Sequence, residues 1–188
     1  MSLPASWTAL IAAPDLPAAL FDHLAPAFAT TPENRVRLRQ ICATAKRAWL
    51  DASHAEERYH SLEIELAGDR LRCMPPGDPD PALPGSFRAI LALHRRLQLV
   101  DAQVDLFHEA DLEFEGWLDG TDLADRGVYS PLRVYANLYI YHPDARAPSG
   151  EPALYVLDHE TMEDDGPRPA AGDLPTVFLT QLANKLVA

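Results

Sequence analysis

An α+β fold, with an antiparallel or mixed sheet flanked by helices, is what this sequence predicts, and three observations predict it. Apolar residues recur at helical spacing near both ends of the chain and again over residues 86–100. Ser61–Leu66 and Arg133–His142 instead alternate with period two, the signature of half-buried strands. Finally, 188 residues with a hydrophobic share of 47% can bury one sizeable core but are short for two. The expected organisation is a single α+β domain over residues 1–188, with residues 1–60 a largely helical N-terminal part.

The elements follow in order. Over Pro17–Ala29, Leu20, Phe21, Leu24 and Phe28 form an apolar stripe, although Pro26 interrupts its second turn. Thr30-Thr31-Pro32-Glu33 then supplies an N-cap, a proline tolerated in the first turn and an early acid. The run Asn34–His60 places Val36 or Leu38, Ile41, Ala45, Ala48 or Trp49, and Ala52 on one face, so a long helix is expected there. Arg35, Arg39, Lys46 and Arg47 give that helix a basic solvent side.

At Ser61 the period changes. Leu62, Ile64 and Leu66 share one face of a strand, residues 67–70 are turn material, and Leu71–Met74 returns as the second arm of a hairpin. Pro75–Gly85 holds five prolines in eleven residues and must be irregular surface chain. Ser86–Val100 reads as a helix with Phe87, Ile90, Leu91, Leu93 and Leu97 inward, which leaves His94 partly exposed beside Arg95 and Arg96. Ala102–Glu109 extends as a possible helix, and Leu112, Phe114 and Trp117 or Leu118 suggest a strand and turn.

Val134, Ala136, Leu138 and Ile140 mark one face of the strand Arg133–His142; Tyr135, Asn137, Tyr139 and Tyr141 mark the other. Those tyrosines either cover a second packing layer or form an exposed aromatic stripe. A loop over His142–Pro152 leads to a strand at Ala153–Leu157. Leu174–Val187 closes the chain as an amphipathic helix behind an Asp173 N-cap.

Charge separates the two halves. Residues 1–100 carry 11 Lys/Arg and 11 Asp/Glu; residues 101–188 carry 5 and 17, the whole net charge of -12. Residues 101–125 hold nine carboxylates and no Lys or Arg. Such a balance disfavours contact with nucleic acid or an anionic membrane, because phosphate contacts require cations. It suits a basic protein partner, as well as simple solubility.

Cys42 and Cys73 make no disulfide framework and are expected to be buried and reduced. The first twenty residues lack the basic region of a signal peptide. No apolar run reaches the roughly 18–20 residues of a membrane span, so a cytoplasmic protein is expected.

No glycine-rich phosphate loop, zinc helix, nucleophile elbow or CxxC pair is present, and neither catalytic residues nor a cofactor is expected. The densest polar cluster, Asp158, His159, Glu163 and Asp164, has ligand-type side chains without the spacing of a calcium loop. It provides the alternative of a small metal-dependent hydrolase. Trp117, between carboxylates and glycines, suits either an interface anchor or a core plug.

Ala82–Leu99, with its leucine-proline step into a leucine-rich helix, resembles a segment of the SMI1/KNR4-like (SUKH) superfamily. The tyrosine-rich strand Arg133–His142, the strand Ala153–Glu160 and the helix Asp173–Val187 are similar to that family's later elements. Together these cover about residues 82–187; the asparagine-glycine ending of the proline-led helix is absent. The resemblance implies a binding scaffold with no catalytic set. Many bacterial members look like immunity proteins that neutralise toxins, often nucleases, and others are similar to regulators of cell-wall synthesis.

The sequence therefore leads to a noncatalytic protein-binding domain whose partner is basic, with a nuclease-type toxin as one form. Asp105, Glu109, Asp111, Glu113, Glu115, Trp117, Asp119 and Asp122 are the candidate contacts. A regulatory adaptor binding through the tyrosine face is a further alternative.

Overall fold

A computed structural model describes residues 3–53, 60–107, 130–158, 160 and 167–187. Among them, helices α1 (Ala5–Ile11), α2 (Leu16–Phe28) and α3 (Pro32–Cys42) precede strands β1 (Ala45–Asp51), β2 (Ser61–Leu66) and β3 (Asp69–Cys73). Helix α4 (Gly85–Leu93) is followed by β4 (Arg96–Leu99), β5 (Val104–Phe107), β6 (Leu132–Val134), β7 (Asn137–Arg146), β8 (Pro152–Leu157) and β9 (Arg168–Pro169). Helix α5 (Leu174–Leu186) ends the described chain. The nine described strands form one sheet in sequence order, and each neighbouring pair is antiparallel. The architecture is thus a mixed α+β fold built on a wholly antiparallel sheet.

Alternation along the strands gives the sheet two chemically different faces. Leu62, Ile64 and Leu66 of β2, Leu71 and Cys73 of β3, Leu97 and Leu99 of β4, and Val104 and Leu106 of β5 are buried in the main core. Helices cover that face, with Trp7, Leu20, Phe28, Leu38, Phe87 and Phe178 joining the same cluster. The Phe28 and Phe178 rings lie 5.3 Å apart between α2 and α5. Each such large side chain contributes roughly 1.5–3 kcal/mol on burial. Helix starts are fixed locally: Asp15, Thr31 and Asp173 accept hydrogen bonds from Ala18, Asn34 and Thr176 backbone N–H groups, respectively.

Four expected elements are different in the structure. The long helix over Asn34–His60 ends at Cys42, where Thr44 directs both its backbone N–H and its hydroxyl to the Ile41 carbonyl. Residues 45–51 become β1, paired with β2, so Ala48 and Leu50 share the face of Ile64 and Leu62 while Arg47 and Trp49 take the opposite one. Helix α4 stops at Leu93 because His94 is extended, with φ -148° and ψ 122°. Leu97 keeps its core position, but as part of β4.

Likewise, residues 104–107 of the expected helix over Ala102–Glu109 are strand. The strand Arg133–His142 is divided by a turn at Tyr135-Ala136, with Val134 opposite Asn137. Helix α2, by contrast, runs through Pro26, and α1 was not signalled by the sequence pattern.

Candidate functional site

The sheet face opposite the helices carries a row of ion pairs that crosses six strands. On β2, Glu65 meets Arg47 of β1 at 2.9 Å and Lys46 at 3.8 Å. Glu63, wholly buried, accepts from Ser61 Oγ and Arg72 Nε, both at 2.7 Å, and lies 3.1 Å from Arg70 Nε. Register places these groups together: Glu63 is opposite Arg72, and Glu65 opposite Arg70. Arg47 also lies over the Trp49 ring at 4.5 Å.

Asp105 is the second buried hub, only 2% exposed. Its Oδ1 accepts from Arg96 Nε at 2.8 Å, while Oδ2 meets Arg96 Nη2 and, at 3.4 Å, Arg133 Nη2. Both guanidinium groups lie over the Phe107 ring, at 5.8 and 5.6 Å. A buried carboxylate between two guanidinium groups is held by charge-assisted hydrogen bonds. Asp105 is therefore not an exposed contact, contrary to the sequence expectation. Its arginine partners lie 9 and 28 residues away, a separation that no local pattern reveals.

The other acidic contacts, Glu109, Asp111, Glu113, Glu115, Asp119 and Asp122, and also Trp117, lie outside the described residues. So do His159, Glu163 and Asp164 of the hydrolase alternative; Asp158 is half-buried and its Oδ1 accepts from the Glu160 backbone N–H at 3.0 Å. Among the described residues, no three His, Cys, Asp or Glu side chains converge as metal ligands. No described helix is long and apolar enough to cross a membrane.

The tyrosines do not share one environment. Tyr141 is 5% exposed and packs near Phe87 at 6.1 Å between centroids; Tyr139 is half-buried, and its hydroxyl accepts from Gln181 Nε2 at 3.1 Å. Burial and the nearby Asp158 carboxylate raise the Tyr139 pKa. Tyr135 alone is open, 49% exposed, with Lys185 Nζ 3.2 Å from its hydroxyl and 4.7 Å from its ring. A continuous tyrosine stripe is thus absent from the described residues.

Tyr135 is also conformationally unusual. It has φ 55°, and Gln103 in the β4–β5 turn has φ 51°. Left-handed backbone is uncommon for residues other than glycine and asparagine, and it gathers at sites where surrounding structure imposes it. Here the imposition is visible: Tyr135 N–H donates to the Gln103 carbonyl at 2.9 Å, tying the two turns together.

His94, expected to be partly exposed, is inside the helical layer. His94 is fully buried, stacked 6.1 Å from Trp7, with Nδ1 3.0 Å from the Met74 carbonyl and Nε2 2.9 Å from His23 Nε2. A carbonyl only accepts, so His94 Nδ1 carries the proton, its Nε2 accepts, and His23 Nε2–H donates. Cys42 and Cys73 are both buried and free, as expected. Burial pushes the Cys42 thiol up to about 12 and raises that of Cys73, which the Glu63 carboxylate raises further. A thiol-reactive disulfide reagent at pH 8 is accordingly expected to label neither cysteine in the native chain, and both after denaturation; rapid native labelling would contradict that burial.

No protein-family model, curated protein or solved structure matches the chain.

Proposed function

We propose that this chain is a noncatalytic binding protein whose acidic second half receives a basic protein partner in the cytoplasm. The carrying observation is where its cations are engaged. Arg47, Arg70, Arg72, Arg96 and Arg133 face Glu65, Glu63 and Asp105 within the sheet. Setting aside the Asp105–Arg133 pair leaves 16 acidic and 4 basic side chains in residues 101–188, still an excess of 12. The internal pairing therefore leaves the acidic field intact, and that field attracts and orients a cationic surface.

Glu109, Asp111, Glu113, Glu115, Trp117, Asp119 and Asp122 are the proposed contacts, without Asp105. The partner we favour is a nuclease-type toxin, whose substrate groove is basic, and the mode is occlusion, with carboxylates in place of substrate phosphates. The SMI1/KNR4-like (SUKH) pattern supports this reading through the order of a proline-led α4, the later antiparallel strands and the closing α5. The hydrolase alternative rests on Asp158, His159, Glu163 and Asp164, of which only Asp158 lies within the described residues, and the adaptor alternative on Tyr135, Tyr139 and Tyr141, of which Tyr135 is exposed and Tyr141 buried.

The test is capture at low ionic strength from the native cell, followed by association kinetics with the captured protein. Replacing Glu109, Asp111, Glu113 and Glu115 by lysine is expected to slow association by about ten-fold or more, and added salt to slow the unmodified protein similarly. An association rate indifferent to both changes would remove the proposal.

A further inference from the structure

The outer surface of α3 carries three arginines that the fold leaves without counterions. Residues 34–50 hold five Lys/Arg and no Asp/Glu, the reverse of residues 101–125. Of these five, Lys46 and Arg47 are engaged by Glu65 of β2. Arg35, Arg37 and Arg39 have no carboxylate or carbonyl partner among the described residues, and the neighbouring Asp22 of α2 pairs with none of them.

Helical geometry sorts the side chains of α3. Asn34, Leu38, Ile41 and Cys42 form its buried side. Opposite them, Pro32, Val36 and Gln40 recur at i, i+4 and i+8 as a central row. Arg35 and Arg39 flank that row on one side, Glu33 and Arg37 on the other. A shallow groove of about 360 Å³ runs along Pro32, Glu33, Val36, Arg37 and Gln40. Val36, at its centre, is 55% exposed, more than any other large hydrophobic side chain of the described residues.

Two of the arginines are also held in place. The Arg35 and Arg39 guanidinium groups lie 5.9 and 4.9 Å from the centre of the Phe21 ring on α2. Stacking orients each planar fork while leaving its N–H edges able to donate outward. One turn apart on the same helix, the two cations repel each other, and α3 supplies only Glu33 against all three arginines. A carboxylate arriving from outside relieves that repulsion and meets donors already in position.

We propose that the outer face of α3 docks an acidic amphipathic helix of another protein. An apolar side chain of that helix sits on Val36 between Pro32 and Gln40. Carboxylates on its flanks meet Arg35 and Arg39 on one side and Arg37 on the other. A nucleic acid fits less well, because three cations offer few phosphate contacts and a chain of -12 repels a long polyanion. A second copy fits poorly through the same face, since α3 against α3 would oppose arginine to arginine. This surface lies in the formally neutral first half and does not depend on the basic-partner reading.

The test is amide NMR of the full chain titrated with a synthetic end-capped helical peptide of about 15 residues, leucines in one row and glutamates on both flanks. Saturable shifts centred on the Glu33–Gln40 amides are expected, half-complete below about 1 mM. Replacing the peptide's glutamates by glutamine should weaken binding about ten-fold or more, as should Arg35→Gln/Arg39→Gln in the protein. Val36→Ser should weaken it as well. Arg35, Val36 and Arg39 are all exposed, so these variants report on docking and not on folding. The assignment is overturned by the absence of saturable shifts, by shifts lying elsewhere, by equal binding of the glutamine peptide, or by unaltered binding in both variants. It is overturned too if a single-stranded DNA oligomer shifts the same amides at lower concentration, which would make this a nucleic-acid surface. Light scattering that shows a concentration-dependent dimer abolished by Arg35→Gln/Arg39→Gln would instead make a second copy its occupant.

Discussion

Asp105→Asn is expected to lower the unfolding free energy by about 2–4 kcal/mol, among the largest effects of any single polar substitution in this sheet. The native carboxylate accepts from Arg96 at Oδ1 and faces both Arg96 and Arg133 at Oδ2. The asparagine amide would present N–H groups to guanidinium donors, and both arginines would lose the Asp105 charge. Their side chains are 33% and 43% exposed, so water screens part of that penalty, which places the effect below the upper end seen for fully buried pairs. Urea unfolding should show a lower midpoint with an unchanged slope. The triple variant Arg96→Met/Asp105→Leu/Arg133→Met should recover most of the loss, because it removes the charges together with their desolvation. A single-variant loss below about 1 kcal/mol would mean that Asp105 is not the electrostatic centre of this face.

The same substitution separates structure from recognition. Asp105 is sequestered beneath its arginines, so Asp105→Asn, measured at a temperature where it remains folded, should leave affinity for a basic partner unchanged. Exposed position and acidic character are distinct properties, and composition reports only the second.

The legibility of this fold follows from the range of the interactions involved. The alternation of Ser61–Leu66 and the Asp173-Leu174-Pro175 helix start are local, and both elements form where the sequence predicts them. Residues 45–51 are ambiguous by local pattern, because Ala45, Ala48 and Trp49 fit a helical stripe as well as Ala48 and Leu50 fit a strand face. Pairing with β2 decides between the two, and that information lies in Ser61–Leu66. The four-residue β4 is similar: Leu97 and Leu99 satisfy either period, and the break from α4 falls at His94 and Arg95.

The joined turns were illegible for a different reason. Tyr135 and Gln103 occupy left-handed backbone without the glycine or asparagine that ordinarily advertises it. One turn links β4 to β5 and the other β6 to β7, so their proximity arises only once the sheet has formed. Charge asymmetry was plain in the sequence, but its pairing was not. Three carboxylates that look available in a composition count are engaged inside the sheet face: Glu63, Glu65 and Asp105.

Acid is expected to destabilise this protein through His94 well before general carboxylate protonation completes the process. Desolvation, then the neighbouring His23, lowers the His94 pKa to about 3, against which the Met74 carbonyl raises it only partly. His23 is itself lowered by burial. The unfolded chain binds a proton at His94 near pH 6.5 while the native chain refuses it, so the unfolded state carries more protons between pH 6.5 and 3. Stability is consequently unaffected by this group above pH 6.5 and falls as pH drops through that window. At pH 4.5 the loss amounts to about 2–3 kcal/mol. His94→Gln preserves a donor for Met74 and an acceptor for His23, but has no titrating group. It should be less stable than the parent near neutrality because its packing on Trp7 is imperfect, yet should lose about 2–3 kcal/mol less between pH 7 and pH 4.5. Equal losses for parent and variant over that interval would show that His94 takes up its proton in the folded protein, and that the buried imidazole pair is not the acid-labile element of the helical layer.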